Sequence, residues 1–240
     1  MALLTRLGAP FFVVLGLAAV AAAEEAPRVG EVVQVAPKVE GRLGERTAEL
    51  KPQEPVYVDM EIETHRRAGA RLSLSAGSRK GGLVLGSRTI LQCTRYVVDL
   101  ALGREEMSWL ARLGQFRMFF DPPVEGAPLR EGEYLIETPT ARIRLLGTDL
   151  VVQVDKDGTT TVWVIEGEVE VTGKAGAELR VPAGSGTRVR PGRAPEPPRR
   201  FDRAGNPSEP GPPAHPEETI FPDPPRLDLV SLDLPGNQCF

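Results

Sequence analysis

Apolar and polar residues alternate along most of the chain between residues 28 and 192, which is the pattern of half-buried β-strands. The clearest run is residues 140–154, in which apolar residues alternate with arginines until Leu146 breaks the pattern. Gly147-Thr148 then interrupts the run, and a second apolar stretch follows. Because a glycine inside a strand pattern marks a bulge, a corner or a close backbone approach, we predict that Gly147-Thr148 turns the chain from one sheet or layer to the next.

The same alternation recurs at intervals of about eight to twelve residues, with turn glycines between the runs. Residues 54–65 read as one strand, because Val56, Val58, Met60 and Ile62 alternate with polar residues. Residues 95–121 predict two strands joined by a turn at 103–106, and a third strand after Gly114. The remaining predicted strands lie near 30–36, 70–76, 81–85, 88–93, 133–154, 159–173 and 177–190.

Composition agrees with a chain of short strands. Gly (25) and Pro (23) are frequent and aromatic residues make up 5%, which suits turn-rich β-structure and argues against a helical bundle. We therefore predict an all-β sandwich or β-solenoid of many short strands. The formal net charge of -4 and the lack of a polybasic stretch give no footprint for nucleic acid or for a membrane surface.

The first 23 residues predict a secretory signal peptide. Arg6 precedes an apolar run that ends in Ala21-x-Ala23, the small residues that signal peptidase requires, so we expect cleavage before Glu24. The mature chain is then periplasmic or secreted, without stable membrane insertion. The alternative is an uncleaved anchor, for which the run is at the short limit of a membrane span.

Residues 193–240 have a different composition from the body of the chain. Twelve prolines lie in this segment and apolar residues are scarce before Leu227, so the tail is predicted to be disordered and extended. The alternative is that "RLDLVSLDLPG" near the end adds a strand to a sheet edge, in this chain or in a partner. The predicted organisation is thus a signal peptide (1–23), a β domain (24–192) and a Pro-rich tail (193–240).

The two cysteines, Cys93 and Cys239, have two interpretations. In an oxidising compartment they can pair and tie the tail to the body. Alternatively, Cys93 is a buried thiol and Cys239 an exposed one. Sequence does not show whether they lie close together, so both interpretations stay open.

The region "IETPTARIRLLGTDLVVQVDKDGTTTVWVIEGEVEVTG" resembles the FecR domain family. The resemblance covers about residues 30–190 and is strongest over 135–172, and Leu146 stands where the family commonly has arginine. The residues that carry the resemblance are turn and packing positions rather than a catalytic set. The leucine at position 146 therefore leaves the expected fold intact. The turn and packing positions are Thr138, Pro139, Gly147, Thr148, Gly158 and Gly167, followed by a closing turn at Pro182-Ala183-Gly184.

The resemblance also implies a class of function. FecR regulators of the iron-transport type have a cytoplasmic anti-sigma segment, one membrane span, a periplasmic FecR domain and a small domain that receives a signal. This chain opens on the predicted signal peptide and ends in a Pro-rich tail. We therefore expect a stand-alone exported member that lacks the anti-sigma segment.

Residues with catalytic chemistry are sparse. His65 lies beside two arginines at a predicted strand end and His215 lies in the tail, so neither is expected to act as a base or a metal ligand. "DKDGT" at 155–159 departs from an EF-hand loop and predicts a hairpin turn with Gly158 at positive φ. Trp109 and Trp163 are in phase with apolar neighbours, which favours the core over ligand stacking. We expect no enzyme activity, no cofactor and no metal.

Three functions remain after these exclusions. The leading hypothesis is a non-enzymatic envelope module that binds a macromolecular partner, most simply a protein, in signalling or scaffolding. The second is a self-assembling component of a surface or secretion assembly. The third is a polysaccharide-binding or hydrolytic protein.

Overall fold

The computed structural model describes residues 26–76, 79–99, 104–120 and 131–200, and every regular element in these ranges is a β-strand. The predictions for the signal peptide, most of the tail and Cys239 lie outside the described residues. The strands are β1 (Arg28–Val35), β2 (Val39–Leu43), β3 (Arg46–Glu49), β4 (Pro55–Tyr57), β5 (Glu61–Thr64), β6 (Ala70–Ala76), β7 (Arg79–Leu85), β8 (Ile90–Asp99), β9 (Arg104–Phe120), β10 (Glu131–Glu137), β11 (Ala141–Leu145), β12 (Asp149–Val154), β13 (Thr160–Glu166), β14 (Glu168–Gly173), β15 (Glu178–Pro182), β16 (Ser185–Val189) and β17 (Arg199–Arg200).

The strands form two sheets whose inner faces enclose one core, which confirms the predicted all-β fold. Sheet A has the order β4-β1-β6-β7-β9-β12-β13-β16-β17. Sheet B has the order β3-β2-β5-β8-β9-β10-β11-β14-β15. Within the described residues, β9 and β10 are the one parallel pair, and all other pairs are antiparallel.

Strand β9 belongs to both sheets, which the sequence did not predict. Its first half pairs with β8 and β10 in sheet B, and its second half, from Gly114 onward, pairs with β7 and β12 in sheet A. The predicted turn at 103–106 is wrong from Arg104 onward, because those residues are already in the strand. The predicted third strand is a continuation of β9 through Gly114, whose φ of 94° lets the backbone bend without ending the strand.

The second correction concerns residues 54–65, which form two strands rather than one. The chain leaves sheet A after β4, turns at Asp59 with a φ of 64°, and enters sheet B as β5. The Asp59 amide donates to the Cys93 carbonyl at 2.7 Å, which fixes the turn against the neighbouring strand β8. The alternation of buried side chains continues across the corner, so periodicity alone could not reveal the break.

The core lies between the two sheets and takes one side of nearly every strand. Its largest fully buried side chains come from both sheets and interdigitate, as expected when alternate residues face inward. They include Trp109, Phe116, Ile62, Leu72, Leu83, Leu91, Met107, Met118, Ile136 and Ile143.

Candidate binding face

The chain passes from sheet B to sheet A at Gly147-Thr148, between β11 and β12. Gly147 has a φ of 81°, which glycine adopts without the strain that a side chain brings. The Thr148 hydroxyl is buried, donates to the Glu168 carbonyl at 2.8 Å, and accepts the Leu146 amide at 3.1 Å. These bonds satisfy the backbone groups that the interruption of β-pairing leaves open.

A second corner lies directly against the first. Gly167 has a φ of 76° and takes the chain from β13 in sheet A back to β14 in sheet B. A Cβ atom at Gly167 would lie 2.2 Å from the Gly147 carbonyl oxygen, well inside van der Waals contact. The two glycines therefore allow two sheet-crossing corners to pack backbone against backbone.

The other end of β11 is held by buried threonine hydroxyls. Thr138 Oγ1 accepts a hydrogen bond from the Thr160 hydroxyl at 2.8 Å. The Thr140 hydroxyl lies 2.8 Å from Thr160 Oγ1 and 3.0 Å from the Gly158 carbonyl oxygen. The Pro139 ring lies beside Gly158, 3.3 Å from where a Cβ atom would be. These side chains link the start of β11 to the β12–β13 hairpin.

The hairpin turn at 155–158 has the geometry expected from the sequence. Gly158 has a φ of 84°, and its amide donates to the Asp155 carbonyl at 2.9 Å. The Thr159 amide and hydroxyl donate to the Asp157 carboxylate at 2.9 and 3.0 Å, and these bonds lower the pKa of Asp157. The described residues contain no group of three or more His, Cys, Asp or Glu that could hold a metal ion.

The Gly147 corner positions a buried ion pair on the outer face of sheet A. Asp149 follows Thr148 and points away from the core, where its carboxylate accepts two hydrogen bonds from Arg117, at 2.8 and 2.6 Å. Both side chains are largely buried, at 7% exposure for Arg117 and 13% for Asp149. The Arg117 guanidinium also lies 5.6 Å from the centre of the Phe119 ring. A bidentate pair with this little solvent fixes the position of both groups.

Arg117 is part of a row that crosses the outer face of sheet A, which we call the sheet A strip. Each member lies opposite the next on the neighbouring strand, from β6 to β16. The sheet A strip consists of Arg71, Val84, Arg117, Val151, Trp163 and Gly186.

The apolar members of the strip are buried although they face away from the core. Among the described residues, Val84, Val151 and Trp163 are the three buried hydrophobic side chains outside the hydrophobic core. Their exposures are 0%, 1% and 7%. Because no other chain contributes to these exposures, atoms of the chain itself cover the three side chains.

Glycines on neighbouring strands make room for the aromatic rings of this face. A Cβ atom at Gly186 would lie 3.0 Å from the Trp163 ring, and one at Gly82 would lie 2.2 Å from the Phe119 ring. Each ring therefore lies over a glycine of the adjacent strand. In the resulting row Arg117 lies between Val84 and Val151, and Arg71 is the end member on β6.

The outer face of sheet B has a different character. Its arginines are about half exposed or more and pair with glutamates across neighbouring strands, as Arg144 does with Glu170 and Arg142 does with Glu137. Exposed pairs of this kind contribute little to stability, and here they neutralise one another. The two outer faces thus separate into a solvated charged surface on sheet B and a buried apolar strip on sheet A.

The tryptophans divide between these environments. Trp109 lies in the core, as the sequence predicts. Trp163 is buried but faces outward, so the prediction of a core position is wrong for it. An outward-facing strand position is usually polar, and that is how a sequence reveals it. Position 163 of β13 is apolar because the outer face is buried there, so nothing in the sequence indicated that Trp163 faces outward.

His65 and Cys93 carry the remaining reactive chemistry. His65 lies 3.4 Å from the Glu40 carboxylate at a half-exposed site. Cys93 is fully buried in β8, opposite Trp109, and burial raises its pKa from 9.0 to about 12. A thiol with so high a pKa has almost no thiolate at neutral pH and is a poor nucleophile. Pairing of Cys93 with Cys239 remains a prediction.

Alkaline destabilisation is the expected result of the buried thiol. Above pH 9 the thiol of the unfolded chain ionises while the folded one stays protonated, so the free energy of unfolding falls as the pH rises towards 12. The limit is about 4 kcal/mol for three pKa units. Urea unfolding from pH 7 to 11 in reducing buffer should show a shallower decline for Cys93→Val than for the parent. Parallel curves would contradict the burial of the thiol.

The described residues contain no helix long and apolar enough to cross a membrane.

Comparisons with known proteins found similar solved structures and one matching family. Two crystal structures of a candidate anti-sigma factor from Parabacteroides distasonis ATCC 8503 are similar, with 17% and 16% identity and TM-scores of 0.42 and 0.43. Each alignment covers 59% of this chain and 60% of the solved chain, less than two thirds of its length. Comparison with curated proteins gave no match. The family described as FecR protein matches residues 60–170, from the turn before β5 into β14. This part of the chain is therefore similar to the FecR family, and the match spans a little under half of the 240 residues.

Proposed function

We propose that this chain is an exported FecR module that binds a protein partner in the cell envelope through the sheet A strip. It acts by binding, in signalling or scaffolding, rather than by catalysing a reaction. Residues 1–23 direct export and are removed before Glu24. This location agrees with the periplasmic FecR domain of the iron-transport regulators that the sequence resembles.

The observation that carries the proposal is the burial of Val84, Val151 and Trp163 outside the core. These side chains lie on the outer side of sheet A rather than among the core residues between the sheets, so a partner that docks on this face contacts them once the atoms that cover them move aside. Tryptophan and arginine are also the residues enriched at the centres of protein interfaces. The strip combines both types on one flat surface.

The chemistry of the strip defines the ligand that it fits. Val84, Val151 and Trp163 make the outer side of sheet A apolar, and Arg71 and Arg117 place positive charge beside them. The complementary ligand is an extended protein segment that carries apolar and acidic side chains. A polysaccharide, which needs polar hydrogen-bonding groups alongside an aromatic ring, fits this row less well.

Site-specific photo-crosslinking in the producing cell tests the proposal. Benzoylphenylalanine at position 163 keeps an aromatic group in the strip, and the same residue at position 144 on the outer face of sheet B is the matched control. We expect position 163, and not position 144, to form an adduct with a second envelope protein. Intact mass of the recovered chain should also show Glu24 as its first residue.

The other outcomes distinguish the rival functions. Adducts at position 163 between two copies of this chain would favour self-assembly. Equal adducts at positions 163 and 144 would show that the strip has no special role. Retention of full-length chain in the membrane, still beginning at Met1, would contradict export with cleavage.

A further inference from the structure

Three neighbouring turns at one end of the fold each take the chain from one sheet to the other. Hydrogen bonds hold them together, because the His65 amide donates to the Lys38 carbonyl at 3.1 Å and the Arg88 amide donates to the His65 carbonyl at 3.2 Å. We call these three turns the basic end. They are the β1–β2 turn (residues 36–38), the β5–β6 turn (65–69) and the β7–β8 turn (86–89).

Each turn of the basic end has a cation at positive φ. Lys38, Arg67 and Arg88 have φ angles of 66°, 60° and 58°. A side chain strains the backbone in this region, and glycine occupies it at the later sheet crossings, at Gly147 and Gly167. Backbone strain is concentrated at functional sites, so three strained cations in adjoining turns indicate a use for their charge.

The positive charge of the basic end is free. Its four cations are exposed, and none of them makes a side-chain hydrogen bond or an ion pair with any residue that the structure describes. The three turns contain no acidic residue, and the Glu40 carboxylate lies 3.4 Å from His65 rather than against a cation. By contrast, arginines on the outer face of sheet B pair with glutamates. The four cations are Lys38, Arg66, Arg67 and Arg88.

We propose that the basic end is a docking surface for anionic phospholipid headgroups and holds the chain against a membrane by charge. The chain then lies on the membrane surface without inserting into it. The inference goes beyond the proposed function and does not depend on it, because the basic end shares no residue with the sheet A strip. A chain held in this way keeps the outer face of sheet A available to a protein.

The composition of the three turns favours a lipid surface over a protein partner. Apart from the cations and His65, the turns consist of Ala, Pro, Gly, Ser and Thr. The centre of a protein interface is usually built from aromatic and other large side chains, and these turns have none of that kind beside the arginines. An anionic bilayer requires only cations close to its surface, and each one strengthens partitioning about fivefold.

No polybasic stretch marks this surface in the sequence. Its cations come from positions 38, 66, 67 and 88, which only the folded chain brings to one end. Several cations side by side attract an anionic surface together, and the attraction weakens as salt screens it. The basic end is therefore a charged feature that the sequence analysis missed.

Co-sedimentation of the mature chain with vesicles tests the proposal. The chain should sediment with vesicles that contain phosphatidylglycerol and not with vesicles of phosphatidylcholine alone, and high salt should release it. A triple variant with Lys38→Gly, Arg67→Gly and Arg88→Gly should partition roughly a hundredfold less, from about fivefold for each cation. Its midpoint of urea unfolding should equal or exceed that of the parent, because glycine relieves the strain at positive φ. The loss of binding is then separate from any loss of folding.

Three single variants are the controls. Arg66→Gln removes the fourth cation, which is not at positive φ, and should weaken partitioning about fivefold. Arg46→Gln removes an exposed cation from β3, beyond the far end of β2, and should leave partitioning at the parent level. Gln53→Gly relieves a backbone φ of 71° without a change of charge, and it should also leave partitioning unchanged.

Four results would overturn the inference. They are equal sedimentation with the two kinds of vesicle, partitioning of the triple variant at the parent level, and an effect of Arg46→Gln as large as that of Arg66→Gln. The fourth is tighter binding of the chain to immobilised polyglutamate than to the vesicles, which would assign the basic end to an acidic protein. Release by inorganic phosphate should match release by chloride at equal ionic strength, and much stronger release by phosphate would show a site for the free anion instead.

Discussion

Gly167→Ala is expected to destabilise the domain by about 3–5 kcal/mol, through backbone strain and overlap with a neighbouring carbonyl. The new Cβ would lie 2.2 Å from the Gly147 carbonyl oxygen. The atoms that it meets are backbone atoms, so the overlap is relieved only if the backbone of one corner moves. Position 167 also has a φ of 76°, which alanine disfavours. Chemical unfolding of the purified variant measures the loss.

Gly147→Ala is the matched control for this prediction. Gly147 has almost the same φ, 81°, but a Cβ atom there would have no neighbour within 4 Å. Only backbone strain remains, so we expect a loss of about 1 kcal/mol. Equal losses at the two positions would show that strain alone matters and that the corners do not pack as described.

The second large effect is expected for Asp149→Ala, at about 3–5 kcal/mol, because it leaves the buried Arg117 guanidinium without its carboxylate. The pair is bidentate and lies almost out of solvent. Thermal and urea unfolding of the variant should both show the loss. Arg117→Met combined with Asp149→Leu should recover part of it, since neither charge then remains buried.

An exposed ion pair on the outer face of sheet B provides the comparison. Glu137→Ala breaks the contact with Arg142, whose side chain is 61% exposed, and we expect a change of at most about 1 kcal/mol. A loss at Asp149 no larger than at Glu137 would mean that the outer face of sheet A is open to water. That result would also remove the basis for the strip as a docking face.

These predictions connect the corner motif to the binding face. Gly147 and Gly167 bring the chain between the sheets, Thr148 secures the crossing, and Asp149 emerges on the outer face of sheet A against Arg117. Gly147, Thr148 and Gly167, which carry the resemblance to the FecR family, therefore influence the strip without being part of it. They fix where β12 begins, and with it the register that places Val151 between Arg117 and Trp163.

Periodicity alone determined that the chain is a many-stranded β protein and located most of its strands. Alternation with period two follows from the geometry of a strand with one buried face, so it is visible wherever that face is apolar. The hairpin at Asp155 to Gly158 was also readable, because a turn with positive φ requires particular residues. The FecR resemblance rested on the same turn positions.

The sequence located the sheet crossing at Gly147-Thr148, but only the tertiary structure decided that β9 belongs to both sheets, that the chain changes sheets at Asp59, and which outer face is buried. Burial alternates in the same way on either side of a corner, so the break at Asp59 left no mark in the apolar pattern. The strip was hidden for a related reason. Its members lie far apart in sequence, from Arg71 to Gly186, and meet only because antiparallel pairing brings one residue from each of six strands into a single row.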